Sequence, residues 1–138
     1  MADKKRAVVI DDEPDICDYI SSILMEHGFE TRTANEAGGG EDLIRNNPPD
    51  LICLDLMMPG RSGIQLFARL KGDDATKHIP LIMITAIKEK LNIDWGEIAG
   101  GLRSRKPEGF IEKPIDPVRL MRVVEDVLEH KKEGVQFG

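Results

Sequence analysis

Pro49-Asp50-Leu51-Ile52-Cys53-Leu54-Asp55-Leu56-Met57-Met58-Pro59-Gly60 is the stretch that decides the architecture. Leu51 to Leu54 is an apolar run of strand length, opened by a double proline and closed by Pro59-Gly60. A strand apolar on both faces belongs inside a parallel sheet covered by helices on each side. Asp55 then falls at the carboxyl end of that strand, the edge where open α/β sheets bind their ligands. A carboxylate is costly to bury without a partner or a purpose. Taken alone, Asp55 also reads as a helix cap or a structural ion pair. The neighbouring segments decide between these readings.

Upstream, Ala7-Val8-Val9-Ile10 is a second apolar run, and it ends in Asp11-Asp12-Glu13. Pro14 suits the first turn of a helix whose inner face is Ile16, Ile20, Ile23 and Leu24, closed by His27-Gly28. Phe29 to Thr33 alternates, as an edge strand does. Asn35 is placed to cap the next helix, Glu36 to Arg45, which Gly38-Gly39-Gly40 should leave short, late-starting or mobile. The triple glycine lacks the Gly-Lys-Ser/Thr ending of a phosphate loop.

Downstream, Ser62 is placed to cap a third helix with Ile64, Phe67 and Leu70 inward. Leu81 to Thr85 is another apolar strand. Ile87, Leu91, Trp95, Ile98 and Leu102 recur at helical spacing, interrupted by Gly96, Gly100 and Gly101. The basic connector Arg103 to Pro107 leads to a short strand, Gly109 to Glu112, closed by Lys113-Pro114. Asp116 caps a last helix that has Pro117 in its first turn and Leu120, Val124, Val127 and Leu128 on its inner face. Five strands alternating with five helices predict a doubly wound α/β fold with a parallel sheet and right-handed crossovers. One domain is expected over residues 5–131, with a flexible tail at 132–138 and no internal repeat.

The bulk numbers agree. A chain of 138 residues suits one core, and 41% hydrophobic residues exclude a disordered chain. The net charge of -6 argues against direct nucleic-acid binding and against anionic membranes. Cys17 and Cys53 lack metal-ligand spacing and are expected to be buried thiols. A charged start followed by a short apolar run is not a signal peptide, and no stretch approaches membrane-spanning length, so the expected location is the cytoplasm. His27, His78 and His130 share no spacing and read as surface or capping residues.

In a parallel sheet, Asp11, Asp12, Asp55, Thr85 and Lys113 all fall on one edge. Three neighbouring carboxylates repel one another unless a cation relieves them. A hard divalent ion such as Mg²⁺ does so through oxygen ligands. One carboxylate can then attack phosphorus, with lysine and hydroxyl groups neutralising and binding the phosphoryl oxygens. Each residue also has a plain reading: Asp11-Asp12 as a helix cap, Thr85 and Lys113 as strand ends, Phe110 as core, and Arg103 to Lys106 as a solvated loop.

Four segments in this order resemble the receiver domain of bacterial two-component response regulators, over Ala7 to about His130. They are Val9 to Pro14, Asp50 to Gly60, Ile79 to Ala86, and Gly109 to Pro114. The resemblance implies a flavodoxin-like sheet of order 2-1-3-4-5. It implies Asp55 as phosphoacceptor, and Asp11, Asp12, Asp55 and the Met57 backbone carbonyl as Mg²⁺ ligands, with Asp12 and Asp55 the more direct. It further implies Thr85 and Phe110 as switch residues and Lys113 as the phosphate-pairing lysine. The implied donor is a sensor histidine kinase or phosphotransfer protein. The implied readout is a changed face on the fourth helix, fifth strand and fifth helix, also a candidate homodimer surface. Little chain follows the last helix, so output is expected to pass to a separate protein target unless the chain is part of a longer regulator.

Two departures stand out. The segment between Thr85 and Lys113 is several residues longer than is usual, so the family's docking residues do not transfer there. Met57 and Ile87, two residues past Asp55 and Thr85, are apolar where the family's side chains border the attacking water, which predicts slow self-dephosphorylation. Met57 also argues against an aspartyl-phosphate phosphatase, which needs a proton-donating acid at that position, so the chain is expected to be a switch and not a hydrolytic enzyme. A phosphorylation-independent interaction module is the remaining alternative.

Overall fold

The computed structural model describes residues 4–85 and 106–133. Its strands are β1 (Arg6–Ile10), β2 (Glu30–Ala34), β3 (Leu51–Asp55), β4 (Leu81–Thr85) and β5 (Gly109–Glu112). Its helices are α1 (Pro14–Glu26), α2 (Ala37–Asn46), α3 (Ser62–Gly72) and α4 (Pro117–Glu133), with a 3₁₀ turn at Pro59–Arg61. The strands form one parallel sheet in the order β2-β1-β3-β4-β5. The apolar periodicity expected after Thr85 falls on residues 86–105, outside the described residues, as do Ile87 and Arg103 to Arg105.

The apolar runs explain the layering. Every residue of β3 and β4 is buried, because successive side chains point to opposite faces and both faces are covered. On one face Val9, Cys53 and Ile84 pack with Ile20 and Leu24 of α1 and Leu120 and Val124 of α4. On the other, Ile10, Leu54 and Met83 pack with Ile44 of α2 and Phe67 and Leu70 of α3. Each such buried side chain contributes roughly 1.5–3 kcal/mol of transfer free energy. β5 lies at the sheet edge, where only Ile111 is buried. β2 is the other edge, and no residue in it is fully buried.

Two expected caps differ. Ser62 is the first residue of α3 and not its cap: Arg61, in a left-handed conformation, precedes the helix, and the Ser62 hydroxyl donates to Pro59 O at 3.0 Å. Asn35 does not cap α2 either, since Glu36 holds that position without a side-chain hydrogen bond. The glycines do not shorten α2 to a fragment; it begins at Ala37 and runs ten residues. A Cβ on Gly40 would lie 2.4 Å from Ile10 Cδ1, so this glycine lets α2 sit close on β1. Asp116 does cap α4, accepting from Arg119 N at 3.0 Å. Gly28, at φ +91°, ends α1 as expected.

Opposite the strand-end acids, the amino edge of the sheet carries a buried lysine. Lys71, 2% exposed, occupies the inner face of α3 one turn beyond Phe67. Its Nζ donates to Lys77 O and Ile79 O, both at 3.0 Å, and to the Glu108 carboxylate at 2.9 and 3.1 Å. Glu108 Oε1 also accepts from Leu81 N at 2.7 Å. This joins the end of α3 to the starts of β4 and β5.

Candidate functional site

The parallel sheet delivers the predicted residues to one edge. β1 and β3 are neighbours in register Ile10↔Leu54, so the residues after them, Asp11 and Asp55, emerge side by side. β3 and β4 pair Asp55↔Ile84, which puts Thr85 just beyond, and Lys113 N donates to Thr85 O at 3.0 Å. Asp11, Asp12 and Asp55 each offer a carboxylate oxygen, and these oxygens all lie within 4.8 Å of one another. Lys113 Nζ stands 3.3 Å from Asp11 Oδ2 and 3.6 Å from Asp55 Oδ2.

Burial is graded across the site. Asp11, Asp55 and Thr85 are buried, Asp12 is exposed, and Lys113 is partly buried. Backbone amides hold the two buried acids: Glu13 N donates to Asp11 Oδ1 at 2.9 Å, and Met57 N donates to Asp55 Oδ1 at 3.1 Å. Met57 itself is 53% exposed, an apolar side chain at the mouth of the acidic pocket. Phe110 is half-buried against the α2–α3 side of the core, and it pairs with Met83 across β4 and β5. The Lys113–Pro114 peptide is cis.

The electrostatics follow from this crowding. Burial, and then the charge of Asp11, push the Asp55 carboxyl up to about 6, against the pull of Lys113. Burial raises Asp11 in the same direction. Lys113 loses solvent too, but the attraction of Asp55 and Asp11 outweighs that loss and holds its ammonium above the usual range. Three carboxylates facing one ammonium leave two negative charges when all are ionised. Asp11 Oδ2 is buried and, among the described residues, accepts no hydrogen bond beside its 3.3 Å ion contact with Lys113. An all-oxygen donor set with a surplus of two charges fits a hard divalent cation.

Sequence reasoning missed three supports of this site. Gly63 is one: a Cβ there would lie 2.2 Å from Asp55 O, so only glycine lets α3 begin against the end of β3. Its signal was present, a small residue just after the Pro59-Gly60 turn. Asn35 is another, since its amide donates to Asp11 O at 3.0 Å. The third is Cys17, whose Sγ lies 3.4 Å from the same oxygen. Cys17 and Cys53 are both buried and reduced, and burial lifts the thiols to about 11 and about 12.

The family model of the response regulator receiver domain matches residues 7–125. The chain is 29% identical to Protein PilH of Pseudomonas aeruginosa over 123 residues, covering 89% of this chain and 97% of PilH. It is 36% identical to the phosphate regulon transcriptional regulatory protein PhoB of the same species over 130 residues. That match covers 94% of this chain and 54% of PhoB, so the chain spans about half of that relative. The crystal structure of the receiver domain of NtrX from Brucella abortus superposes with a TM-score of 0.74 at 34% identity, covering 89% of this chain and 98% of that one. The match over residues 7–125, the sheet order and the grouped strand-end acids agree, and the chain belongs to the response regulator receiver family, the phosphoacceptor switches of two-component signalling.

Proposed function

We propose that Asp55 is the phosphoacceptor, taking its phosphoryl group from a phosphohistidine on a sensor kinase or phosphotransfer protein. One observation carries this reading. Asp55 Oδ1 is held by Met57 N, while Oδ2 faces Lys113 Nζ at 3.6 Å in a pocket shared with Asp11 and Asp12. In the transfer, an Asp55 oxygen attacks phosphorus, the phosphorus–nitrogen bond to the donor imidazole breaks, and the imidazole leaves with the electron pair and takes up a proton. Lys113 pairs with phosphoryl oxygens as a point charge, and Thr85 offers its hydroxyl from the adjacent strand end.

Asp11, Asp12, Asp55 and the Met57 carbonyl would hold Mg²⁺. Its chemistry there is charge neutralisation, of the carboxylates and of the phosphoryl oxygens. Readout runs from Thr85 to Phe110 and on to the surface formed by β5 and α4. That is a population shift, and moving it from about 1:99 to about 99:1 takes about 5.5 kcal/mol of differential stabilisation. The lengthened sequence between Thr85 and Lys113 gives the protein its own partner, either a separate target or a second copy of the chain. No helix among the described residues is long and apolar enough to cross a membrane.

Incubation with phosphoramidate and Mg²⁺, followed by intact-mass measurement, tests the assignment. One added phosphoryl mass is expected in the native chain and none in Asp55→Asn. An unmodified native chain under all donor conditions would instead favour an interaction module that works without phosphate. The apolar Met57 at the pocket mouth supports a long-lived phosphoryl group. Met57→Asn combined with Ile87→Glu is expected to shorten its half-life, and an equal or longer half-life would sink that part of the reading.

A further inference from the structure

The asparagine expected to cap α2 does something else. An N-cap side chain accepts a hydrogen bond from the first turn of its helix. Asn35 instead turns its amide back toward β1 and donates from Nδ2 to Asp11 O at 3.0 Å. The same Nδ2 lies 3.6 Å from Cys17 Sγ, and Cys17 Sγ lies 3.4 Å from Asp11 O. Asp11 N meanwhile donates to Ala34 O at 3.1 Å. Both backbone polar groups of Asp11 are therefore fastened to the end of β2, on the side away from the acidic pocket.

That fastening has a directional consequence. The Asp11 carbonyl belongs to the peptide that leads into Asp12, so fixing its oxygen fixes the plane from which Asp12 departs. Asp12 is exposed, whereas Asp11 and Asp55 are buried. For Asp12 to stay within 4.8 Å of the other two acids, its backbone must be held in place.

We infer that Asn35 is a positioning residue for the cation pocket: its amide, with the Cys17 thiol, locks the Asp11–Asp12 peptide so that both carboxylates face one point. The inference rests on the metal reading of the pocket given above. Partners that orient ligands from outside a metal site typically govern about 10–100-fold in metal affinity. Asn35 is exposed, so its replacement opens no core cavity.

The test is calorimetric titration of MgCl₂ into the unphosphorylated chain. Asn35→Ala is expected to raise the Mg²⁺ dissociation constant about tenfold. Its thermal midpoint in EDTA should stay close to that of the native chain. Phosphoramidate labelling should show the same split, with a higher half-saturating Mg²⁺ concentration and a nearly native rate at saturation. Asn35→Leu, similar in size and without a donor, should behave as Asn35→Ala does and serves if the alanine variant folds poorly. Equal Mg²⁺ affinity in the native and variant chains overturns the inference and leaves the pocket's metal reading standing. A lower midpoint with unchanged affinity also overturns it, making Asn35 a loop fastener. A native chain that takes up no Mg²⁺ overturns the metal reading and this inference together.

Discussion

At the amino edge of the sheet, Lys71 Nζ has two backbone carbonyls and a carboxylate within 3.1 Å, so the buried ammonium there is fully partnered. At the carboxyl edge, three carboxylates crowd together, two of them share Lys113, and one buried oxygen of Asp11 accepts no hydrogen bond among the described residues. The two edges lie at opposite ends of the same strands. The Lys71–Glu108 pair at the first is satisfied, and it acts as a fixed joint. Ionic groups at the second are left in excess, so the folded domain holds them at a cost that a ligand can relieve. The difference separates what keeps the fold together from what lets it respond.

The largest expected effect comes from breaking the satisfied edge. Lys71→Ala removes a buried ammonium and leaves two backbone carbonyls and Glu108 without their donor, so it should destabilise the domain by roughly 3 kcal/mol. Urea unfolding measures this. Phosphorylation of the folded fraction should stay near the native rate, because the site is at the far end of β4. A loss of labelling without a loss of stability would dissolve the distinction between the edges.

Gly63→Ala probes the other edge by volume. The new Cβ would meet Asp55 O at 2.2 Å, so α3 or the end of β3 has to shift. A cost of about 2 kcal/mol is expected, together with slower phosphorylation, since Asp55 moves with its backbone. Native-like labelling kinetics would show that the approach of α3 does not set the position of Asp55.

Asp55→Asn should have the smallest effect on stability, and the opposite sign. Without divalent metal it removes one of the crowded charges and should stabilise the domain by about 1 kcal/mol near neutral pH, a figure reduced for the solvent the pocket still meets. The gain depends on pH. The Asp55 carboxyl titrates at about 6 when folded and at 3.8 ordinarily. Between those values the native state binds more protons than the unfolded chain, so the native acid's stability falls as pH rises. The advantage of Asp55→Asn should therefore be small near pH 4 and complete above about pH 6. Urea midpoints of both chains in EDTA across that range check it; an advantage that shrinks with rising pH would mean that Asp55 is not destabilised by its setting.

How much of this the sequence carried depends on how local each signal is. The apolar runs and their terminal acids lie within a few residues of one another, so β3, β4 and the acids Asp11, Asp12 and Asp55 were readable from composition and order. The grouping at one edge followed from parallel topology. The Lys71–Glu108 joint spans 37 positions of sequence, and neither residue stands in a pattern that announces the other. Lys71 did leave one trace, a charged residue on the inward side of α3 one turn after Phe67. Asn35 and Ser62 were misread for a single physical reason. Cap-type side chains form several local hydrogen bonds, and the choice among them is made by neighbours from other strands.

The exposed strand β2, Glu30–Ala34, has a further consequence. An edge strand presents unpaired backbone groups that another chain can extend, and charged side chains discourage such growth. Glu30 and Arg32 are both exposed on this edge. A protein that passes its message by contact must restrict which contacts form. The charges of Glu30 and Arg32 guard the β2 side against strand addition.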